Sequence, residues 1–143
     1  MKIEKKYHFY AAHRNQNLTG KCSSLHGHRY GVTVVIEAPR TRAGVTMLFA
    51  DIDIKAGSVL QAYDHAAIID RRDEVWSVIM KQTDHEGMPM RCVVLDCESS
   101  AENLAGVLFD EMLEAGLPIV ELRLQETDSA TVIYTLEDRN EQE

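Results

Sequence analysis

Residues 26–37 demand a strand before anything else in the chain is considered. His26, His28, Tyr30, Val32, Val34 and Ile36 fall on one side of a period-two repeat, with Arg29, Thr33 and Glu37 on the other. An extended segment with one apolar and one polar face is half-buried, so it needs a sheet with something packed on its inner side. That apolar face runs directly into two imidazoles, because His26 and His28 are separated by the single residue Gly27. Upstream, Tyr7 to His13 is aromatic-rich and alternates Tyr7, Phe9, Ala11 and His13 on one face. On a neighbouring antiparallel strand, His13 completes a three-imidazole set with His26 and His28. Three neutral imidazoles suit zinc and leave a fourth position open to water or substrate. The pattern therefore predicts a catalytic metal centre.

The rest of the chain alternates helices with strands. Asn15 to Gly20 is polar and reads as a loop, and Ala38-Pro39-Arg40 ends the second strand. Ile52, Ala56, Val59, Leu60 and Tyr63 lie at helical offsets, with Asp51 the expected N-cap. Residues 71–82 form a weaker helical pattern, with Val75, Val78 and Ile79 as its apolar stripe; Cys92 to Leu95 is a short apolar strand or link. Ser99 followed by Glu102 fits a capping box that opens a helix buried along Ala101, Leu104, Ala105, Leu108 and Met112. Gly116 and Pro118 stop it. Val120, Leu122, Leu124 and Glu126 share a face of a third strand, Thr131 to Leu136 is a fourth, and the charged C-terminus is expected to fray. Two hairpins separated by helices predict an α+β architecture: a four-stranded antiparallel sheet with helices on one face.

A length of 143 residues suits one domain spanning 1–143. The net charge of −8 offers no basic field to draw in nucleic acid or an anionic membrane, so neither is expected as a partner. No apolar run is long enough for a signal peptide or a membrane span. With three cysteines and no such signal, free thiols and a cytoplasmic location are the expectation.

Three further positions carry candidate chemistry. Cys22 reads as a small buried hydrophobe, as a fourth zinc ligand closing a structural site, or as a reactive thiolate beside the metal and the cations Arg14 and Lys21. Asp64-His65 pairs an orienting carboxylate with an imidazole and, next to a thiol, could form a proton relay. Glu126 occupies the inward register of an apolar strand face, where a carboxylate needs a partner. It could hold an amino-pyrimidinone through two parallel hydrogen bonds. A non-haem iron oxygenase is disfavoured, because no carboxylate stands at ligand spacing from the histidines.

Taken together, Phe9-Tyr-Ala-Ala-His13-Arg14, Cys22-x3-His26-Gly-His28-x-Tyr30, Asp64-His65, Ser100-Ala-Glu-Asn103-Leu-Ala and Gln125-Glu126-Thr127 resemble the 6-pyruvoyltetrahydropterin synthase / 6-carboxytetrahydropterin synthase family. The resemblance implies the tunnelling fold, in which protomers assemble into barrels, commonly hexamers. It implies zinc on His13, His26 and His28, with Cys22 as the proton-abstracting thiolate and Asp64 and His65 as its relay. Glu126 would anchor the pterin, and Asp64-His65 would act at a neighbouring subunit's metal. The short Cys22-x3-His26 spacing looks more like the carboxy-forming enzyme of the queuosine pathway. That enzyme converts 7,8-dihydroneopterin triphosphate to 6-carboxytetrahydropterin, acetaldehyde and triphosphate. The alternatives are the pyruvoyl-forming activity and a non-catalytic zinc-stabilised assembly module with Cys22 as fourth ligand. Arg14 and Lys21 are candidates for the triphosphate. Ser100 is a candidate for the pterin, although Ser99-Ser100 replaces the family's usual Pro-Thr or Thr-Thr. Leu48-Phe49 also stands where Asp-Phe is common.

Overall fold

The computed structural model describes residues 1–142. Its sheet has six strands in the order β4-β3-β1-β2-β5-β6, made of β1 (Lys2–His13), β2 (His26–Glu37), β3 (Ala66–Asp70), β4 (Cys92–Leu95), β5 (Ile119–Thr127) and β6 (Ala130–Thr135). The expected antiparallel quartet is present as β1-β2-β5-β6. The four-strand expectation is corrected by β3 and β4, which extend the sheet in parallel from β1. Every residue of β3 is buried, so its sequence shows no alternation to announce a strand.

Helices α1 (Phe49–Leu60) and α3 (Ala101–Glu114) cover the inner face of the sheet. Their buried stripes, Ile52, Ala56 and Leu60 on α1 and Ala101 to Met112 on α3, meet Phe9, Tyr30, Val32, Val34, Leu122 and Leu124. Phe9 and Tyr30, paired across β1 and β2, stack with ring centroids 5.0 Å apart. Leu48, not Asp51, caps α1; Asp51 lies inside the first turn, where a carboxylate favours the helix dipole. Ser100, not Ser99, caps α3 by accepting from Asn103 N. Gly116, at φ 84°, supplies the left-handed residue that ends it.

Not every helix lies on that inner face. Helix α2 (Glu74–His85) places Trp76 against Ala67 and Ile69, the alternate residues of β3 from Ile68, which belongs to the main core. It therefore covers the outer side of the sheet. Its expected stripe is met only in part: Ile79 packs there, but Val75 and Val78 are exposed and Trp76 is the buried residue. Past β6 the chain does not fray at once, because Thr135 and Asp138 form a capping box that opens the short helix α4 (Leu136–Glu141). Strand β5 carries two bulges. One puts Ile119 rather than Val120 into the inward position opposite Ile36, and the other falls between Gln125 and Thr127. Among the described residues, no helix is long and apolar enough to cross a membrane.

Candidate active site

The β1–β2 ladder brings the three histidines together. His13 pairs with His26 and Ala11 with His28, so all three rings project from adjacent positions on the inner face. The residue between the two β2 histidines has to be small. A Cβ on Gly27 would stand 3.2 Å from the backbone oxygen of Ala11, which cannot yield without moving β1. His13 Nε2 and His26 Nε2 lie 3.1 Å apart, and the His13–His28 and His26–His28 ring centroids are 5.2 and 4.8 Å apart.

Two backbone carbonyls orient the rings. His13 Nδ1 lies 2.6 Å from Ser99 O and His26 Nδ1 lies 2.7 Å from Ser24 O. An Nδ1–H donated to a carbonyl leaves Nε2 bare, with its lone pair turned toward the other rings. Burial holds His13 and His28 below the ordinary histidine range, which favours the neutral, ligating form. His28 Nε2 is buried without a hydrogen-bond partner, although Glu126 Oε1 stands 3.1 Å away. The expectation that no carboxylate reaches the histidines is thus corrected. One donor atom from each of His13, His26, His28 and Glu126 can be chosen so that all lie within 4.8 Å of one another. The inward register of β5 after Leu122 and Leu124 is what delivers Glu126. This donor set fits a divalent metal: bare imidazole nitrogens, a carboxylate, and a buried nitrogen left without a partner. Tyr30, fully buried beside His13 and His28, also has an unpartnered hydroxyl.

The remaining candidates lie around this cluster. Cys22 is exposed, on a single 3-10 turn (Gly20–Ser23), and is outside the four-residue donor set. Its loop is tied back by Asn15 N donating to Cys22 O at 2.8 Å. Arg14 is engaged: its Nε donates to Asp73 Oδ2 at 2.6 Å and a terminal nitrogen donates to Ser23 O. Ser99, expected to cap α3, is instead buried, with its carbonyl on His13 and its hydroxyl on Arg14 O. Ser99 and Ser24 act through backbone oxygens, which every residue type possesses, so no side-chain signal could have marked them.

Asp64 and His65 sit beside Tyr10. His65 N donates to Tyr10 O, and Tyr10 N donates to Asp64 Oδ1 at 2.9 Å. The His65 ring meets the Tyr10 ring at 5.9 Å, and Tyr10 points away from the face that carries Phe9, Ala11 and His13. Asp64 Oδ2 lies 2.9 Å from His65 Nδ1, the contact of a carboxylate orienting an imidazole. The Tyr10 N–H first and His65 second hold Asp64 below the usual carboxylate range. His65 has a positive φ of 61°, unlike every other non-glycine residue described. It borders a groove of about 560 Å³ lined by Tyr10, Arg29, Trp76 and Arg91 and reaching Ala11 and His28 at the end of the β1–β2 ladder. Within one chain, the Asp64–His65 pair lies outside the four-residue donor set, with the His65 ring against Tyr10 on the outward side of β1.

Residues 2–137 match the 6-pyruvoyl tetrahydropterin synthase family, and the chain belongs to that enzyme family. A protein named 6-carboxy-5,6,7,8-tetrahydropterin synthase from Haemophilus influenzae is 29% identical over 144 residues, covering 93% of this chain and 97% of that one. A namesake from Rickettsia bellii is 32% identical over 114 residues, covering 78% and 80%. In fold the chain is similar to the Caenorhabditis elegans 6-pyruvoyl tetrahydropterin synthase structure, with a TM-score of 0.68, 21% identity and 94% of each chain covered.

Proposed function

We propose that this chain is a zinc-dependent 6-carboxytetrahydropterin synthase. It would use water to convert 7,8-dihydroneopterin triphosphate to 6-carboxytetrahydropterin, acetaldehyde and triphosphate. The observation that carries the reading is the convergence of three oriented imidazoles with one carboxylate on the inner face. The names of the Haemophilus and Rickettsia relatives support the carboxy-forming branch.

In this reading His13, His26 and His28 hold zinc through their Nε2 atoms, with the Ser99 and Ser24 carbonyls fixing two of the rings. Bound there, zinc supplies Lewis acidity that makes the C–H protons beside the substrate's side-chain oxygens removable. The exposed Cys22 thiolate takes such a proton, and the carboxylate of Glu126 holds the aminopyrimidinone edge of the pterin. His65, oriented by Asp64, would relay protons to the substrate held by an adjacent subunit, in keeping with its place outside its own chain's donor set. Arg14 reaches triphosphate only with the guanidinium nitrogens that Asp73 and Ser23 leave available. Ser100, whose hydroxyl caps α3, meets the pterin from that position. The acting unit is a cytoplasmic homo-oligomer, a hexameric barrel built from one domain per chain spanning 1–143, in the queuosine pathway.

The test is mass spectrometry of products from the zinc-loaded protein and 7,8-dihydroneopterin triphosphate. A 6-carboxypterin with acetaldehyde is expected. A 6-pyruvoyl product would move the chain to the other branch, and unchanged substrate with zinc verified in the sample would refute the reaction.

A further inference from the structure

The carboxylate of Glu126 has two claims on it. Among the described residues, its one ion-pair contact is His28, with Oε1 3.1 Å from Nε2. The cation nearest in sequence is already committed, since Arg123 pairs with Glu4 and Glu121. The Glu126 side chain is about three-quarters buried, at 26% exposure. A carboxylate this enclosed, with no lysine or arginine paired to it among the described residues, has a place for a compensating charge. A divalent ion among the four donors would supply it. Ligand atoms about 2.0–2.2 Å from one tetrahedral ion lie roughly 3.3–3.6 Å from each other. The His13–His26 and His28–Glu126 separations are both 3.1 Å and the four donors all lie within 4.8 Å of one another, so these two pairs open by a few tenths of an ångström and any wider pairs draw in as an ion is admitted.

The backbone at Glu126 is suited to movement. Gln125 pairs with Thr131 and Thr127 with Ala130, so Glu126 is the bulged residue with no partner on β6, two residues before the Asp128-Ser129 turn. Bulges re-aim side chains and loosen the ladder where they occur. The histidines are the opposite case, held in a continuous β1–β2 ladder with two rings fixed by carbonyls. The site thus combines three donors on a continuous ladder with one donor on a bulge.

We propose that Glu126 is an exchangeable fourth metal ligand, bound to the ion when the pterin pocket is empty and withdrawn from it when a pterin takes both carboxylate oxygens. This rests on the metal-centre reading above and adds a control to it. Two parallel N–H···O bonds to a pterin edge take one lone pair of each carboxylate oxygen and fix its plane, so the carboxylate's hold on an ion weakens when that contact forms. Arrival of the ring therefore opens the fourth position at the moment the substrate side chain is present to fill it. Before then the carboxylate keeps adventitious ligands out. By linkage, a pterin that competes for Glu126 without touching the metal weakens metal binding, and the metal weakens that pterin equally.

Two readouts test this without turnover. In chelator competition, Glu126→Gln is expected to weaken zinc at least ten-fold. Glu121→Gln, a carboxylate of the same strand outside the cluster, should change it less than two-fold. In the cobalt(II)-substituted wild-type protein, 2-amino-4-oxopteridine, which has no side-chain oxygens, is expected to alter the visible d–d absorption. It should leave the spectrum of the cobalt-loaded Glu126→Gln variant unmoved. Equal zinc affinity in wild type and Glu126→Gln, or a wild-type cobalt spectrum indifferent to saturating pterin, would overturn the exchange while leaving the three-histidine centre and its reaction standing. Failure of the wild type to hold zinc at all would instead overturn the metal reading beneath both.

Discussion

Replacing Trp76 with alanine should undock α2 while leaving the rest of the sheet folded. Trp76 is the one fully buried residue of that helix, and it packs on Ala67 and Ile69 in a cluster separate from the main core. A buried tryptophan removes about 150–250 Å² from water. At roughly 25 cal/mol per Å² that is about 4–6 kcal/mol, consistent with the ~3–5 kcal/mol lost on Trp→Ala truncation. The helix has 12 residues, too short to persist on propensity alone. Its first turn stays tethered through the Asp73 cap and Arg14, so the loss should concentrate further along. Hydrogen exchange read by mass spectrometry should show residues 74–85 losing protection while β1, β2 and β5 keep theirs. A companion variant isolates the indole nitrogen. Nε1 is buried without a partner, so Trp76→Phe removes an unsatisfied group and most of the packing survives, at a cost below about 1.5 kcal/mol. Equal loss of protection in α2 and the central strands, or a Phe variant as damaged as the Ala variant, would refute the reasoning.

Other outcomes follow from the site and its surroundings. Cys22→Ala, outside the donor set, should lower turnover about 10²–10⁴-fold with one zinc per chain retained by elemental analysis; joint loss of metal and stability would instead mark Cys22 as a ligand. Gly27→Ala forces a Cβ against the Ala11 carbonyl and should destabilise the fold by about 1–3 kcal/mol, with weaker zinc retention under chelator; unchanged retention would mean the β1–β2 spacing does not set the His13–His26 geometry. Asp70, whose buried carboxyl is held at about 2 chiefly by hydrogen bonds from Arg72, has a folded value below its unfolded one. Its contribution is therefore complete above about pH 4 and is lost as pH falls toward 2. Urea melts of Asp70→Asn should show a flatter pH dependence across that window; an unaltered slope would contradict it.

The parts of this molecule that alternate in sequence were the parts that could be read. Strands β1, β2, β5 and β6 each have one covered face, so period-two patterning exposes them, and the same patterning brings His13, His26, His28 and Glu126 into one register. Strand β3 is covered on both sides, by the main core and by Trp76, and Ala66-Ala-Ile-Ile-Asp70 consequently carries no period. The apolar stripe expected for α2 holds at Ile79 but not at Val75 and Val78, for a related reason. Its docking surface is the outer face of β3, which chooses the large indole over Val75 and Val78. Asp64 and His65 were visible as a pair. Where they stand relative to the sheet depends on the parallel β1–β3 register and a left-handed backbone at residue 65, and neither leaves a mark in a single sequence.

That left-handed residue sets durability against chemistry at one position. Outside glycine, asparagine and aspartate the conformation costs on the order of 1 kcal/mol, and histidine bears that strain here. His65→Gly should therefore raise the melting temperature by a few degrees while deleting the imidazole from the Asp64 pair; a lower melting temperature would show that the ring's contact with Tyr10 outweighs the strain. A library of variants sorted on heat resistance alone would drift away from histidine at this site, and its most robust survivors would be those stripped of the ring that Asp64 orients.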